Sequence, residues 1–413
     1  MSSSRSSLGC RKQGSEFVLK TTSDTKTSES IGPYDRAFQQ HLVDFGIYPD
    51  GYEYPDGRIP SEPENIKEIA RLLAQRRPSL SRSWFSREDF RKFKQADTHA
   101  AKKREVTTSV IPIIEGDIGD NKCVAGQIRF TNLDHLTDGS LVPGNPDLYY
   151  GARPEQLDRQ VRAELGGRII PSTQQDLPIV PNFFLAAKGP DGSLVVAQRQ
   201  ACYDGALGAR GMQDLFSYGK SKPIFDNHAY TITCTYHGGT LKMFTSHPIP
   251  PANPGVRPKY VTTQIKAYAL TSDYDTFRQG AAAYRNGRDW AKRQRDEAIQ
   301  RGNERVANIG TRASHLDDNP ALRFATASDS SFGHVSQGTR IPRVPNVLSI
   351  NGSDTSPDEL SLDPGLQEKR HQGPAGFRRK RRGAKPNRGI ETRSQGTSQP
   401  KPEEGGEIGE LIT

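Results

Sequence analysis

Apolar and polar positions alternate most cleanly over Tyr230, Thr231, Ile232, Thr233, Cys234, Thr235 and Tyr236, which predicts a strand. His237, Gly238, Gly239 and Thr240 then turn the chain, and residues 241–245 return. With Gly238 and Gly239 as a two-residue loop, Tyr236 faces Leu241 and Cys234 faces Met243. Residues 183–187 form a continuous apolar run suited to a buried strand, and residues 260–270 predict a last one.

Helical spacing dominates elsewhere. Ile66, Ile69, Leu72 and Leu73 share one face of a helix that Ser61 and Glu64 would cap and that would run to Arg77, where Pro78 stops it. Ser86 with Asp89 repeats the cap, and Phe85 and Phe90 stand at hydrophobic-staple positions, so another helix begins there. Further helices are predicted over residues 98–108, 154–165 and 197–215, and from Asp273 to about Arg301. In the last, Phe277, Ala281, Tyr284, Ala291 and Ile299 mark a packed side, and its arginines either contact phosphates or are solvated. Residues 110–114 read as a strand, and residues 127–133 as a strand or loop edge.

The ends differ in kind. Residues 1–30 hold few large apolar groups, and residues 303–413 lose all periodicity to Gly, Ser, Asn, Pro and Asp. Neither can bury enough surface to offset the entropy of ordering, so both are expected to be disordered tails. Between them lie an N-terminal arm with helices, residues 31–97, and an α/β core with its C-terminal helix, residues 98–302. Composition supports one sizeable domain: only 33% of the 413 residues are hydrophobic, and mean hydropathy is -0.74.

The net charge of +9 becomes informative once it is located. Nine cations and no acid lie between Lys369 and Arg388, and the remaining 48 basic residues match the 48 acidic ones. Outside that segment the chain is therefore neutral. Within the segment Arg378, Arg379, Lys380, Arg381 and Arg382 read as a signal for a nuclear-import receptor, or as a solubilising charge run. No apolar run approaches the roughly 18 residues of a membrane span, so a soluble protein of the nucleus, or of nucleus and cytoplasm, is expected. Cys10, Cys123, Cys202 and Cys234 are too scattered for a zinc site.

Candidate chemistry gathers between residues 143 and 212. Pro146 and Asp147 open this stretch, Phe183, Phe184, Leu185, Ala186 and Ala187 lead into Lys188, and Gln198, Gln200 and Tyr203 follow. This order resembles the PD-(D/E)xK nuclease superfamily, in which a Pro-Asp and a Glu-x-Lys or Asp-x-Lys on neighbouring strands bring two carboxylates and an ammonium together. The phrases IPSTQQDLPIVPNFFLAAKGPDGS, QACYDGALGARGMQDL and RNGRDWAKRQR look like those of an uncharacterised fungal family with a nuclease-like domain, over roughly residues 34–302.

The resemblance implies an α+β fold with an αβββαβ core, a central mixed sheet flanked by helices. It also implies Mg²⁺ as cofactor and DNA or RNA as partner. Asp147 would bind metal, Glu105 would supply an acid from the first helix, Lys188 would assist the attacking water, and Gln200 would complete the site. Phosphodiester hydrolysis needs these types because hard oxygens hold Mg²⁺ while leaving room for water and a phosphate oxygen. Position 186, two before Lys188 and on the same strand face, departs from the pattern as alanine. A domain that binds nucleic acid or protein without cleaving is the alternative on the same fold. A phosphate-binding loop is excluded at Gly219, Lys220 and Ser221, because Asp214 stands where its first glycine belongs.

Overall fold

The computed structural model describes residues 30–317 apart from 175 and 254, with side chains to residue 308. Of the expected tails, residues 1–29 and 318–413, with the basic run at 378–382, lie outside the described residues, whereas residues 303–317 are helical.

Seven strands form one mixed sheet: β1 (Ile47–Tyr48), β2 (Val124–Ala125), β3 (Leu148–Ala152), β4 (Ile179–Ala187), β5 (Thr231–His237), β6 (Thr240–Ile249) and β7 (Lys259–Ala269). Their order is β1, β7, β6, β5, β4, β3, β2. Only β4 with β5 and β1 with β7 are parallel; the other pairs are antiparallel. The helices are α1 (Phe38–Asp44), α2 (Ile66–Leu73), α3 (Arg87–His99), α4 (Lys103–Glu105), α5 (Ile111–Glu115), α6 (Arg159–Glu164), α7 (Gly166–Ile169), α8 (Leu194–Ser217) and α9 (Tyr274–Asp317). Helix α8 makes the crossover that a parallel β4–β5 pair requires.

Alternation along β4 separates two cores. Phe183, Leu185 and Ala187 pack with Phe277 and Tyr284 of α9, whereas Phe184 packs with Tyr203 and Leu207 of α8. The hairpin of β5 and β6 has the register read from its pattern, with Tyr236 opposite Leu241 and Cys234 opposite Met243. The Ser86 and Asp89 capping box is formed, and Phe85 and Phe90 both pack on Tyr274 and Phe277.

Several local expectations are corrected, among them the helix over 98–108, which breaks after His99 and restarts at Lys103. Residues 110–114 are helical: Val106, Val110, Ile111 and Ile114 are buried at helical spacing. Pro112 cannot continue the backbone ladder, and a π turn, Val106–Val110, resets it. The strand before β3 is instead β2, and the order from there is α5, β2, β3, α6, α7, β4, α8, β5, with two short helices inserted between β3 and β4.

Helix α2 is shorter than its pattern at both ends. Asn65 clamps the Ala229 backbone through both ends of its amide, at 2.9 and 3.0 Å, so Ser61 caps nothing. Asn286 donates to the carbonyls of Leu72, Leu73 and Gln75, which draws the chain out of the helix before Arg77. The predicted helix over 154–165 is broken at Leu157, where Asp158 caps a new start for α6.

Helix α9 runs past Arg301 to Asp317, and three of its arginines point inward. Arg285 donates to the carbonyls of Ile113 and Ile114, Arg288 to those of Glu115 and Asp117, and Arg295 to Tyr150 O and Asn182 Oδ1. They tie α5, the turn after it and the sheet to α9, so neither phosphate contact nor free solvation describes them.

Candidate functional site

Asp147 precedes β3 and Lys188 follows β4, two adjacent antiparallel strands. Leu148 opposes Leu185, and Asp147 N–H donates to Leu185 O at 3.1 Å, which places Asp147 across from Ala186. Alternation carries Asp147 to the side of Tyr149, and Lys188 to the side of Phe184 and Ala186. Tyr149 and Phe184 belong to the core under α8. The two residues predicted to meet are thus on one face of the sheet, 5% and 0% exposed.

Each is held by specific partners. Asp147 Oδ2 accepts from Ala187 N–H at 2.7 Å, and Oδ1 pairs with Lys103 Nζ at 2.7 Å. Lys188 Nζ donates to the Tyr34 hydroxyl at 2.8 Å and lies 4.8 Å from the centre of that ring. Tyr34 belongs to a strap that Ile31 ties to Ser140 and Val142, at 2.8 and 3.0 Å. Arg199 of α8 fixes the strap further by donating to Pro33 O and Asp35 O, at 3.0 and 3.1 Å.

The second carboxylate comes from α8. Asp204 is buried, and its pKa stands well above the usual carboxylate range, first because burial penalises the charge and then because Asp147 repels it. Gly144 makes room for it: a Cβ there would lie 2.8 Å from Asp204 Oδ1. Gln200 sits one helical turn before Asp204, with its Oε1 sealed from solvent and unpartnered, and Asn145 Oδ1, two residues before Asp147, is in the same condition. The neighbourhood therefore holds buried oxygens without partners, alongside the equally unpartnered Tyr149 hydroxyl and Arg199 Nε.

Glu105 does not join this group. Its Oε2 accepts from the N–H groups of Ala101 at 2.6 Å and Lys102 at 3.3 Å, so it caps α4 and is exposed. The same short turn delivers Lys103 to Asp147 instead. His237 is the neighbour of Lys188 on the adjoining strand. Ala187 pairs with Tyr236 in parallel register, so the next pair along is Lys188 with His237, whose Nε2 is buried without a partner.

Sequence pattern alone gave little notice of Asp204. The available cue was an acid within Ala201, Gly205, Ala206 and Gly208, a run small enough to lie against a sheet. Lys103 and Tyr34 carried no cue, since a lysine in a charged run and a tyrosine in an arm usually face solvent.

Among the described residues no three or more His, Cys, Asp or Glu side chains converge as a metal-binding group. Two carboxylates with amide oxygens nearby still fit Mg²⁺, which keeps several waters and commonly takes one or two carboxylates from protein. A cavity of about 500 Å³ lies on the α9 face, lined by Tyr150, Arg153, Arg288 and Lys292 among others. Arg153 pairs with Asp120, Arg288 with Asp289 and Lys292 with Asp296, so these lining charges are satisfied internally. Volume and chemistry therefore point to opposite faces, and the unsatisfied oxygens around Asp147 mark the candidate site.

In comparisons with protein-family models, curated proteins and solved structures, nothing matches this chain.

Proposed function

We propose that the α8 face of the sheet is a Mg²⁺-dependent phosphodiesterase centre of the PD-(D/E)xK kind, acting on DNA or RNA. In it Asp204 takes the place of the acid that position 186 lacks. The observation that carries this reading is the burial of Asp204 beside the charge of Asp147, on the face that also holds Lys188. Two buried like charges are expensive unless a cation or a proton joins them.

Asp147 and Asp204 would hold the metal, with Gln200 and Asn145 supplying amide oxygens or fixing its water. A bound Mg²⁺ would polarise a phosphoryl oxygen and lower the pKa of bound water. Lys188, freed from Tyr34, would donate to the attacking water or a phosphate oxygen, and Ala187 N–H would keep Asp147 oriented. Its location in the nucleus, through residues 378–382, belongs to the same proposal. Replacing those five residues with alanine in a fluorescent fusion would abolish nuclear accumulation if they are the required signal.

A second reading, a nucleic-acid-binding domain that cleaves nothing, draws on the Lys103 ammonium already seated on Asp147. Purified protein with Mg²⁺ or Mn²⁺, tested on single- and double-stranded DNA and RNA, separates the two. Cleavage lost in both Lys188→Ala and Asp204→Asn supports the phosphodiesterase. Cleavage by neither wild type nor Ala186→Glu, with binding intact, leaves only the binding domain.

A further inference from the structure

The folded part carries a basic excess, 38 Lys or Arg against 33 Asp or Glu over residues 30–317, and that excess is unevenly spread. Between residues 71 and 104 there are eleven Lys or Arg against three Asp or Glu, a larger excess than that of the whole folded part. Five of these cations have an acidic partner: Arg77, Arg82, Arg91, Lys92 and Lys103. The other six, Arg71, Arg76, Arg87, Lys94, Lys102 and Arg104, are exposed and in no ion pair among the described residues.

Helix α3 orders part of this charge. It turns Phe90, Phe93 and Ala96 toward α9, and Arg87, Arg91 and Lys94 follow one another at i, i+4 and i+7 along its outer flank. At 1.5 Å per residue they are spaced about 6 and 4.5 Å along the axis. The Arg91 pair with Glu88 is exposed on both sides, 75% and 58%, and restrains that arginine weakly. Trp84, three residues before Arg87, is 77% exposed. An indole left in water beside a row of cations is the pairing that a single strand uses, with its bases on the aromatic and its phosphates on the charges.

The row also leads somewhere. Beyond the end of α3 come Lys102 and Lys103, and Lys103 reaches Asp147 at 2.7 Å. Gly189, next after Lys188, lies so near this turn that a Cβ on it would come 2.7 Å from Lys103 N.

We infer that Trp84, the outer flank of α3 and the α4 turn form a docking track for single-stranded nucleic acid that ends at the Asp147 and Lys188 centre. Binding along the track stands on charge and exposure alone; delivery of the strand to a cleaving centre rests on the function proposed above. A duplex offers Trp84 no open base face, and an anionic membrane would be met by a cluster of apolar side chains rather than one indole beside a line of cations.

The test is fluorescence anisotropy of a labelled oligonucleotide, single-stranded and as duplex, titrated with the full chain over a salt series. Trp84→Ala should weaken single-strand binding about tenfold. Combined Arg87→Ala, Arg91→Ala and Lys94→Ala should reduce the slope of log affinity against log salt by about 2, at roughly 0.7 per lost phosphate contact. All these side chains lie outside the core, and an unchanged melting temperature confirms that the variants fold. Wild-type affinity and slope in both variants would overturn the track, as would tighter binding to duplex or to phosphatidylserine vesicles than to the single strand. Intact binding with no cleavage in Mg²⁺ would instead fail the proposed chemistry and leave the track standing.

Discussion

Lys103 Nζ lies 2.7 Å from Asp147 Oδ1, and only 4% of the Asp147 side chain is exposed. An ammonium on the α4 turn therefore sits on the oxygen that a metal would use. Removing one partner of a buried pair costs about 3–5 kcal/mol, because the other is left uncompensated. Lys103→Met should lower the melting temperature in EDTA by several degrees, and Mn²⁺ should recover more of the variant's stability than of the wild type's. A variant whose melting point ignores Mn²⁺ would show that Asp147 takes no metal even when vacated.

Asp204 supplies the pH dependence. Its raised pKa means that the folded protein keeps a neutral carboxyl where the unfolded chain ionises. Its contribution to stability is therefore full below about pH 4 and is lost as pH rises toward the folded value. Asp204→Asn, neutral in both states, should melt higher than wild type at neutral pH without metal, the gap closing toward pH 4. Binding of Mn²⁺ to wild type must expel the proton, so its affinity should rise with pH, and in Asp204→Asn that dependence should disappear.

Tyr34 covers Lys188 through a half-exposed strap held by the Ile31 and Arg199 hydrogen bonds. Half-exposed segments of this kind open at low free energy. In the full chain, Tyr34→Ala or Arg199→Ala should increase acetylation of Lys188 by acetic anhydride about tenfold over wild type, read by mass spectrometry of the peptide. Tenfold corresponds to about 1.4 kcal/mol of strap closure. Equal acetylation in all three proteins would mean that the strand itself, not the strap, buries the amine. The measurement needs no cleavage activity.

How far the sequence disclosed this arrangement depends on the range of the forces involved. The hairpin register at Tyr236 and Leu241, the strand leading into Lys188 and the capping box at Ser86 were legible because each is set by neighbours in the chain. That Asp147 and Lys188 lie on one face of the sheet was legible only through the order of a motif. The failures are tertiary. Residues 110–114 have strand-forming side chains but spend them on a helical stripe against α9, and α2 is cut short by Asn286, 211 to 214 residues further along the chain. Glu105 and Lys103 show the limit most clearly: two residues apart in one charged run, they exchange the roles their types suggested, because the short α4 turn aims the lysine at Asp147 and spends the carboxylate on backbone amides.

His247 provides a check on the sheet itself. It is fully buried on β6, and burial pushes its pKa down to about 4. Because the folded value lies below the ordinary value of about 6.5, the stability it contributes is complete above that pH and is lost as pH falls toward 4. The interval of about 2.5 units corresponds to about 3 kcal/mol. Other buried groups titrate over the same range with the opposite sign: Glu115, raised by burial to about 6, gains stability when protonated. A single acid profile would therefore mix the two, and a comparison isolates the histidine. Urea unfolding of wild type and His247→Gln should differ most near pH 7, where neutral imidazole fills its site, and the difference should shrink by about 3 kcal/mol toward pH 4. A difference that stays constant with pH would mean that the imidazole titrates in the folded sheet as it does in water, and one that grows toward pH 4 would mean that it is charged there.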